Sequence, residues 1–207
     1  RKDSITRKND SDLSMLKYAS SAAHISGKPF TSSETFTWLT EHFRTSLAQC
    51  KPDMDLMFVS GVNHMYFHGT TYSPKEAKWP GWKFYAAIDM SPTNSIWRDA
   101  PYMMKYMERC QSFMQMGKPD NDLLVYVPFQ DAWHKTTGTF KNMLLMFPID
   151  DIAQKLPEFV AAVNAVQNAG LDCDYISDNL LFSTEYVDGE LQTIGGTRYK
   201  GLVIPAS

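Results

Sequence analysis

The sequence predicts an α/β protein that contains a parallel β-sheet. Residues 122–128 form a continuous apolar run, which is typical of a parallel strand that is buried on both faces. A helical pattern follows over residues 156–168, and strand-like segments follow at 171–176 and 199–204. Strands that alternate with helices in this order are typical of βαβ units, whose strands lie side by side in one parallel sheet.

The composition is that of a folded protein with a substantial core. The chain has 207 residues, 43% of them hydrophobic and 21% charged, so one large domain or two small ones are expected. A net charge of -3 argues against nucleic acid as the main partner, because phosphate binding needs a concentrated basic surface. No apolar run approaches the roughly 20 residues that span a bilayer. Three cysteines without CxxC spacing fit neither a disulfide scaffold nor a zinc ribbon: Cys50, Cys110 and Cys173.

The first half of the chain is predicted to alternate short helices with short strands. Apolar residues that recur every three or four positions predict a helix over 37–50, which the segment 51–53 with Pro52 is expected to end. The residues of that stripe are Phe36, Leu39, Phe43, Leu47 and Cys50. The other elements predicted here are a loop over 1–13, helices over 14–24 and 54–60, and strands over 28–33 and 64–68.

A long loop and the clearest helix complete this half. Residues 70–92 are rich in aromatics and proline and only weakly periodic, and a loop of that length in a compact domain is usually functional. Residues 99–116 carry one apolar stripe, with Pro101 in the first turn and Gly117 after the end. The turn at 118–121 is the best domain boundary, which divides the chain into 1–118 and 119–207.

The ends of the chain suggest a piece of a longer protein. The sequence begins at Arg1 without the pattern of a signal peptide, and the strand predicted at 199–204 has no helix after it to cover it. We therefore expect the remainder of its own chain to be a partner of this piece.

Glu34 is the first candidate for chemistry. It closes a predicted strand just before a helix, and in a β/α barrel the carboxyl ends of the strands form the rim of the active site. A carboxylate there can act as general acid or general base. The alternative is a structural carboxylate that complements the dipole of the following helix. Asp89, in a loop, is a weaker second carboxylate.

Two histidines form the second candidate. His64, Tyr66 and His68 share one face of a strand, because side chains alternate across it, and His68 lies nearer the mouth. The alternative is a hydrogen-bonded structural histidine, which is favoured for His64. The spacing is not the zinc motif HExxH, since position 65 is methionine.

Aromatic side chains in or beside the long loop can stack on sugar rings or simply cover the end of a barrel. Trp82 is the leading candidate for a ligand contact. The full set is Trp79, Trp82, Phe84, Tyr85 and Trp97.

Three segments, taken in order, resemble the second half of the barrel in glycoside hydrolase family 106. They are SETFTW at 33–38, DLMFVSGVNH at 55–64 and HGTTYSP at 68–74. That family comprises α-L-rhamnosidases and related large bacterial enzymes of polysaccharide breakdown. Five later residues fit the helix that closes its barrel: Trp97, Tyr106, Arg109, Gln111 and Gly117.

The resemblance implies the fold. Residues 1–118 are expected to form the C-terminal half of a (β/α)8 TIM barrel. Residues 122–128 and 199–205 resemble the class I glutamine-amidotransferase-like, or flavodoxin-like, domain that follows the barrel, so 119–207 are expected to form part of that domain. It lacks the amidotransferase cysteine elbow, so this resemblance concerns the fold and carries no function.

The resemblance also implies an activity, namely inverting hydrolysis of α-L-rhamnosidic bonds by two carboxylates, often with a bound calcium ion. Glu34 matches a catalytic glutamate of the family, and Asn63, His64 and His68 match positions that line the sugar pocket. The partner carboxylate belongs on an earlier barrel strand, so this chain alone is expected to be inactive and to hold no cofactor. The family implies a periplasmic or secreted location.

Three alternatives stay open at this point. A family 42-type β-galactosidase-like hydrolase also carries an amidotransferase-like domain after a barrel. A non-catalytic carbohydrate-binding protein would keep the pocket without turnover. A structural or interaction piece would bind no sugar.

Overall fold

The computed structural model describes residues 13–38, 41–134 and 155–206. Residues 1–12 of the loop predicted over 1–13, and the apolar position Leu39, lie outside these ranges. The described residues group into two compact units, one within 30–117 and the other made of residues up to 29 together with those from 118 onward.

The elements of the described chain are short, and the longest is a helix of 17 residues. No helix among the described residues is long and apolar enough to cross a membrane. In chain order the elements are α1 (Leu13–Ile25), β1 (Ser32–Thr35), α2 (Leu47–Val59), β2 (His64–Phe67), a 3-10 helix (Ser95–Arg98), α3 (Ala100–Met116), β3 (Leu123–Tyr126), α4 (Phe129–His134), α5 (Pro157–Asn168), β4 (Cys173–Ile176), α6 (Asp178–Phe182), β5 (Glu185–Val187), β6 (Glu190–Gln192), β7 (Arg198–Tyr199) and β8 (Gly201–Val203).

The first unit is built on a βαβ arrangement. Strands β1 and β2 pair in parallel, with Ser32 opposite His64 and Thr35 opposite Phe67, and α2 connects them. One face of this sheet packs into a core with α2 and α3. The buried members of that core are Phe36, Cys50, Met54, Phe58, Val62, Met65, Ile88, Met90, Ala100 and Met103.

The predicted helix over 37–50 is wrong in most of its length. Phe36 and Phe43 have φ angles of 67° and 60°, a left-handed conformation that an α-helix does not contain. Helix α2 instead begins at Leu47, where the side chain of Gln49 accepts a hydrogen bond from the backbone N–H of Ser46 at 2.9 Å.

The predicted break at 51–53 is also wrong, because α2 runs through Pro52. The apolar face formed by Cys50, Met54 and Phe58 is buried on both sides of the proline. The Lys51 ammonium also lies 2.6 Å from the carboxylate of Asp55 one turn later. Packing of that face and the ion pair hold the helix together across a residue that removes one backbone hydrogen bond.

The second unit contains the predicted parallel sheet, in the order β4-β3-β8. Leu123 lies opposite Cys173 on one side and Gly201 on the other. Leu124 and Val125 are both fully buried, and they belong to separate core clusters because their side chains point to opposite faces. The prediction of a strand buried on both faces is confirmed.

Strands β5, β6 and β7 form a separate antiparallel sheet. Asp188 and Gly189 join β5 to β6, and both have positive φ angles, 51° and 90°, as a two-residue hairpin turn of type I′ requires. The segment predicted as one strand over 199–204 is divided between this sheet and the parallel one, because β7 ends at Tyr199 and β8 begins at Gly201.

Helix α1 belongs to the second unit, although it precedes β1 in the chain. The Lys17 ammonium lies 2.7 Å from the carboxylate of Asp172, and His24 Nδ1 lies 2.9 Å from Asp174 Oδ2. Asp174 is fully buried on β4 and also accepts a hydrogen bond from the Tyr199 hydroxyl at 2.7 Å. These contacts attach α1 to the edge strand β4.

We predict that Gly195→Ala destabilises the second unit. Gly195 donates its N–H to the Ile25 carbonyl, and a Cβ there would overlap the backbone nitrogen of Gly27, so the two segments must separate. Overpacking of this kind costs about 1–3 kcal/mol of unfolding free energy. Amide hydrogen exchange of α1 in the intact protein measures it. The control is Gly201→Ala, whose Cβ would meet Leu123 Cδ2 at an ordinary 3.5 Å; equal effects of the two variants would refute the prediction.

Candidate active site

The face of the β1–β2 sheet that points away from the core carries polar side chains. In a parallel pair, opposed residues place their side chains on the same side, so Glu34 lies beside Tyr66 and Ser32 beside His64. The other face carries Thr35 and Met65, which are 2% and 7% exposed. The prediction of a polar strand face opposite an apolar one is confirmed for β2.

Glu34 and His68 are joined by Thr37. The Thr37 hydroxyl donates to Glu34 Oε2 at 3.0 Å and lies 2.9 Å from His68 Nδ1. His68 Nδ1 lies 3.8 Å from the same Glu34 oxygen. An ionised carboxylate only accepts, and the hydroxyl has one proton, so Nδ1–H of His68 donates to Thr37. A neutral His68 therefore carries its proton on Nδ1 and leaves Nε2 as an acceptor.

Local structure after each strand puts these groups together. Phe36 follows β1 in the left-handed conformation with its ring 3% exposed, which anchors the chain just before Thr37. The N–H of His68 donates to the Thr35 carbonyl at 2.7 Å, and its ring lies 4.8 Å from that of Phe84. The carboxyl ends of the two parallel strands thus bring Glu34, Thr37 and His68 to one edge of the sheet.

Glu34 is accessible from solvent, with 68% of its side chain exposed. A carboxylate that is oriented by one hydroxyl and open on its other side can exchange a proton with a bound molecule. Helix α2 starts only at Leu47, and the described residues between it and β1, 36–38 and 41–46, form no helix, which disfavours the structural alternative.

Asn63 and His64, at the start of β2, make contacts with neighbouring residues of the first unit. The side-chain carbonyl of Asn63 accepts the N–H of Thr31 at 2.8 Å, and its backbone carbonyl accepts from Gln115 Nε2 at 2.6 Å. The His64 ring lies 5.8 Å from that of Phe30 and 4.8 Å from that of Tyr66. Asn63 therefore fixes the start of β1 against α3, while His64 lies on the polar face.

Among the aromatic residues of the long loop, Phe84 is the one whose ring contacts that of His68. Tyr85 continues the contact, with its ring 4.9 Å from that of Phe84. Trp82 precedes them with 61% of its surface exposed, and its backbone N–H donates to Ser73 Oγ at 2.9 Å.

A second carboxylate–imidazole pair lies nearby and was not predicted as a pair. His42 Nδ1 lies 2.8 Å from Asp89 Oδ2, and Asp89 is 6% exposed with a φ of 53°. Asn94 Nδ2 donates to the Asp89 carbonyl at 3.0 Å, and Met90 N–H donates to the carbonyl of Gly69, the residue after His68. The two residues are 47 positions apart, so no local spacing could have indicated the pair.

The calcium ion that the resemblance implies was tested against the donor groups present. Among residues 13–38, 41–134 and 155–206, no three His, Cys, Asp or Glu side chains come together as ligands. The described residues therefore do not supply the cluster of carboxylates that usually holds calcium.

Comparison with known proteins identifies relatives that match nearly the whole chain. The model of glycoside hydrolase family 106, described as alpha-L-rhamnosidase, matches residues 2–207. A protein of Formosa agariphila named "Putative beta-glucuronidase" is 28% identical over 195 residues, which are 92% of this chain and 14% of that protein.

A rhamnosidase of known structure, from Novosphingobium sp. PP1Y, shares the fold with a TM-score of 0.63 and 20% identity. The match covers 94% of this chain and 17% of that one. The chain therefore spans only 14% and 17% of the lengths of these two proteins.

Proposed function

The chain belongs to glycoside hydrolase family 106, and on that premise we propose that it is part of an enzyme that hydrolyses α-L-rhamnosidic bonds in plant or bacterial polysaccharide. The observation that carries the proposal is the arrangement of Glu34, Thr37 and His68 at the carboxyl ends of β1 and β2. An exposed carboxylate, oriented by a neutral donor and backed by an imidazole, is equipped for proton transfer to or from a glycoside.

Glu34 would act as one of two carboxylates. Hydrolysis with inversion requires one carboxyl group to protonate the leaving oxygen while the other takes a proton from the attacking water. The hydrogen bond from Thr37 occupies Glu34 Oε2 and leaves Oε1 for the water or the leaving oxygen. His68 orients Thr37 through the hydrogen bond from its Nδ1–H, and its Nε2 can accept a hydrogen bond from a sugar hydroxyl.

The second carboxylate would come from the remainder of the protein. Asp89 is an unsuitable partner because its carboxylate is buried and engaged with His42. We propose that the first unit, residues 30–117, contributes the C-terminal half of a β/α barrel that the sequence predicts over 1–118, and that the polar face of β1 and β2 points inward. The helices α2 and α3 pack on the opposite face of the sheet, just as the helices of a β/α barrel pack on the outside of its strands. The chain alone would then be inactive.

The sugar pocket would be lined by His64, His68 and Trp82, with Asn63 acting through the position of β1. Any calcium site of the intact enzyme would need ligands beyond the described residues. The second unit, which includes α1 as well as the residues from 118 onward, is proposed to be part of the flavodoxin-like domain predicted over 119–207 and would take no part in the chemistry.

The proposal is tested with a panel of aryl glycosides and the intact enzyme. We expect turnover of the α-L-rhamnoside, with the β-D-galactoside and the β-D-glucuronide cleaved at least 100-fold more slowly. The galactoside tests the family 42-type alternative, and the glucuronide tests the activity for which the Formosa agariphila relative is named. Preferred cleavage of either would contradict the proposal, and binding without any cleavage would favour a non-catalytic carbohydrate-binding protein.

Thr37→Val tests the hydrogen bonds by which Thr37 joins Glu34 to His68. Loss of the hydroxyl leaves Glu34 without its oriented donor, and hydrogen bonds to charged groups are worth about 1.5–3 kcal/mol. We expect kcat/KM on the rhamnoside to fall roughly 10- to 100-fold, with an altered pH profile. Thr37→Ser keeps the hydroxyl and should retain most of the activity. Equal activity of the valine and serine variants would show that the link has no catalytic role.

A further inference from the structure

A cleft in the first unit has the features of a sugar-binding site of its own. Its volume is about 610 Å³, and its walls include the rings of Phe43, Trp79 and Trp97. Glu34, Thr37 and His68 are not among the residues that line it. This volume lies within the range of about 300–1,000 Å³ that is usual for small-molecule sites.

The cleft is held in shape by hydrogen bonds. The Trp79 indole N–H donates to the Thr93 carbonyl at 3.3 Å, and the Trp79 ring lies 6.1 Å from that of Phe43. Asn94, 3% exposed, donates its amide to the carbonyls of Ile88 and Asp89 and begins the 3-10 helix that carries Trp97. A site that is formed before the ligand arrives loses less entropy on binding.

The charges around the cleft favour a neutral ligand. Arg98 is the cation of the lining, and its Nε and Nη2 lie 3.3 and 3.1 Å from the two carboxylate oxygens of Asp99. The guanidinium is thus paired with a carboxylate on its own chain. Aromatic walls with hydroxyl and carbonyl groups between them, at Thr93 and Ser95, match the apolar ring faces and hydroxyls of a neutral sugar.

A series of contacts connects the cleft with the candidate active site. Phe43 follows His42, whose partner Asp89 lies beside Met90, and Met90 bonds to Gly69 next to His68. We propose, on the basis of the function proposed above, that this cleft binds a neutral sugar residue of the polysaccharide next to the one that is cleaved. It would position a long substrate and contribute nothing to the binding of a single rhamnose.

The experiment uses the intact enzyme with the Glu34→Gln change, so that ligand is not consumed. A neutral tetrasaccharide ending in α-L-rhamnose and free L-rhamnose are titrated by calorimetry into this protein and into the same protein with Trp79→Ala. We expect the tetrasaccharide to bind at least tenfold more weakly to the Trp79 variant, with the affinity for rhamnose unchanged within twofold. Trp79→Phe, which keeps a ring, should fall between.

Ser95→Phe is a second variant that fills the cleft and should weaken tetrasaccharide binding without removing an aromatic wall. The control is Tyr186→Ala, an exposed tyrosine of the second unit. Unchanged tetrasaccharide affinity in both the Trp79→Ala and the Ser95→Phe protein would overturn the inference. Equal weakening of rhamnose and tetrasaccharide would overturn it too. If the aryl rhamnoside is not cleaved but the tetrasaccharide results hold, the proposed function fails and the cleft stands.

Discussion

Replacing Glu34 with glutamine in the intact enzyme is expected to lower kcat on an aryl α-L-rhamnoside by roughly 10²–10⁴-fold, the usual contribution of general acid–base catalysis. The amide has nearly the shape of the carboxyl group and still accepts the Thr37 hydroxyl, but it neither gives nor takes a proton at neutral pH. Since 68% of the side chain is exposed, the substitution disturbs no core packing. The KM should change little compared with kcat.

Glu76→Gln is the matched control, because Glu76 is an exposed glutamate of the same unit. It should keep the activity of the unaltered enzyme, and both variants should show unaltered circular dichroism. Turnover by the Glu34 variant within a few-fold of normal would remove this residue from the mechanism.

The second large effect concerns stability. Asp174→Ala is expected to destabilise the second unit by about 3–5 kcal/mol, as the removal of one partner from a buried charged network usually does. The carboxylate is fully buried between His24 on α1 and the hydroxyl of Tyr199. Without it, both partners lose their acceptor in a site closed to water, and α1 loses a contact to β4.

Amide hydrogen exchange of β4 in the intact protein measures this effect locally. We expect the protection of Cys173–Ile176 to fall at least about 100-fold, since each 1.4 kcal/mol is a factor of ten. Glu185→Ala, which removes an exposed carboxylate on β5, should change it little. Equal protection in both variants would show that the buried network does not hold β4.

The pH range of this contribution follows from the pKa directions. Burial would raise the pKa of Asp174, but the hydrogen bond and charge of His24, with those of Tyr199 and Lys17, outweigh burial and lower the pKa. Its stabilisation is therefore full above the unfolded value near 3.9 and is lost as the pH falls through the lower folded pKa. Burial, followed by the charge of Asp174, raises the pKa of the Tyr199 hydroxyl in the folded protein. The stabilisation that Tyr199 contributes is therefore full below its unfolded pKa of about 10 and is lost as the pH rises through its folded pKa.

The parallel sheet of the second unit could be predicted because its signal is local. Leu124 and Val125 are adjacent and both fully buried, and a continuous apolar run is what burial on two faces requires. The hairpin at Asp188 and Gly189 had an equally local signal, because Asp-Gly is a preferred pair for such turns.

The loop after β1 could not be predicted because tertiary contacts determine it. Phe36 and Phe43 fit the spacing of a helical stripe, yet both have a left-handed backbone conformation, and Phe36 is buried because it packs in the core of the unit. Pro52 predicts a helix end from local propensity, but α2 continues through it because packing of its buried face outweighs the cost of the proline. Local propensity is a weak guide where packing decides.

The candidate site shows the same division. Glu34 could be located because it lies at the end of a strand, and His68 because it follows one. The link through Thr37 depends on the loop conformation, and the pairing of His42 with Asp89 depends on the return of the long loop to the sheet. Neither leaves a periodic pattern in the sequence.

Chemical rescue of Glu34→Ala in the intact enzyme tests the central claim most directly. Alanine leaves space where the carboxylate stood, and a small anion such as formate can occupy it and exchange the proton in its place. We predict that turnover of an α-L-rhamnoside with an unactivated leaving group falls strongly in this variant and rises with formate concentration, while Glu76→Ala does not respond to formate. Turnover by Glu34→Ala near the normal rate without formate would contradict the account.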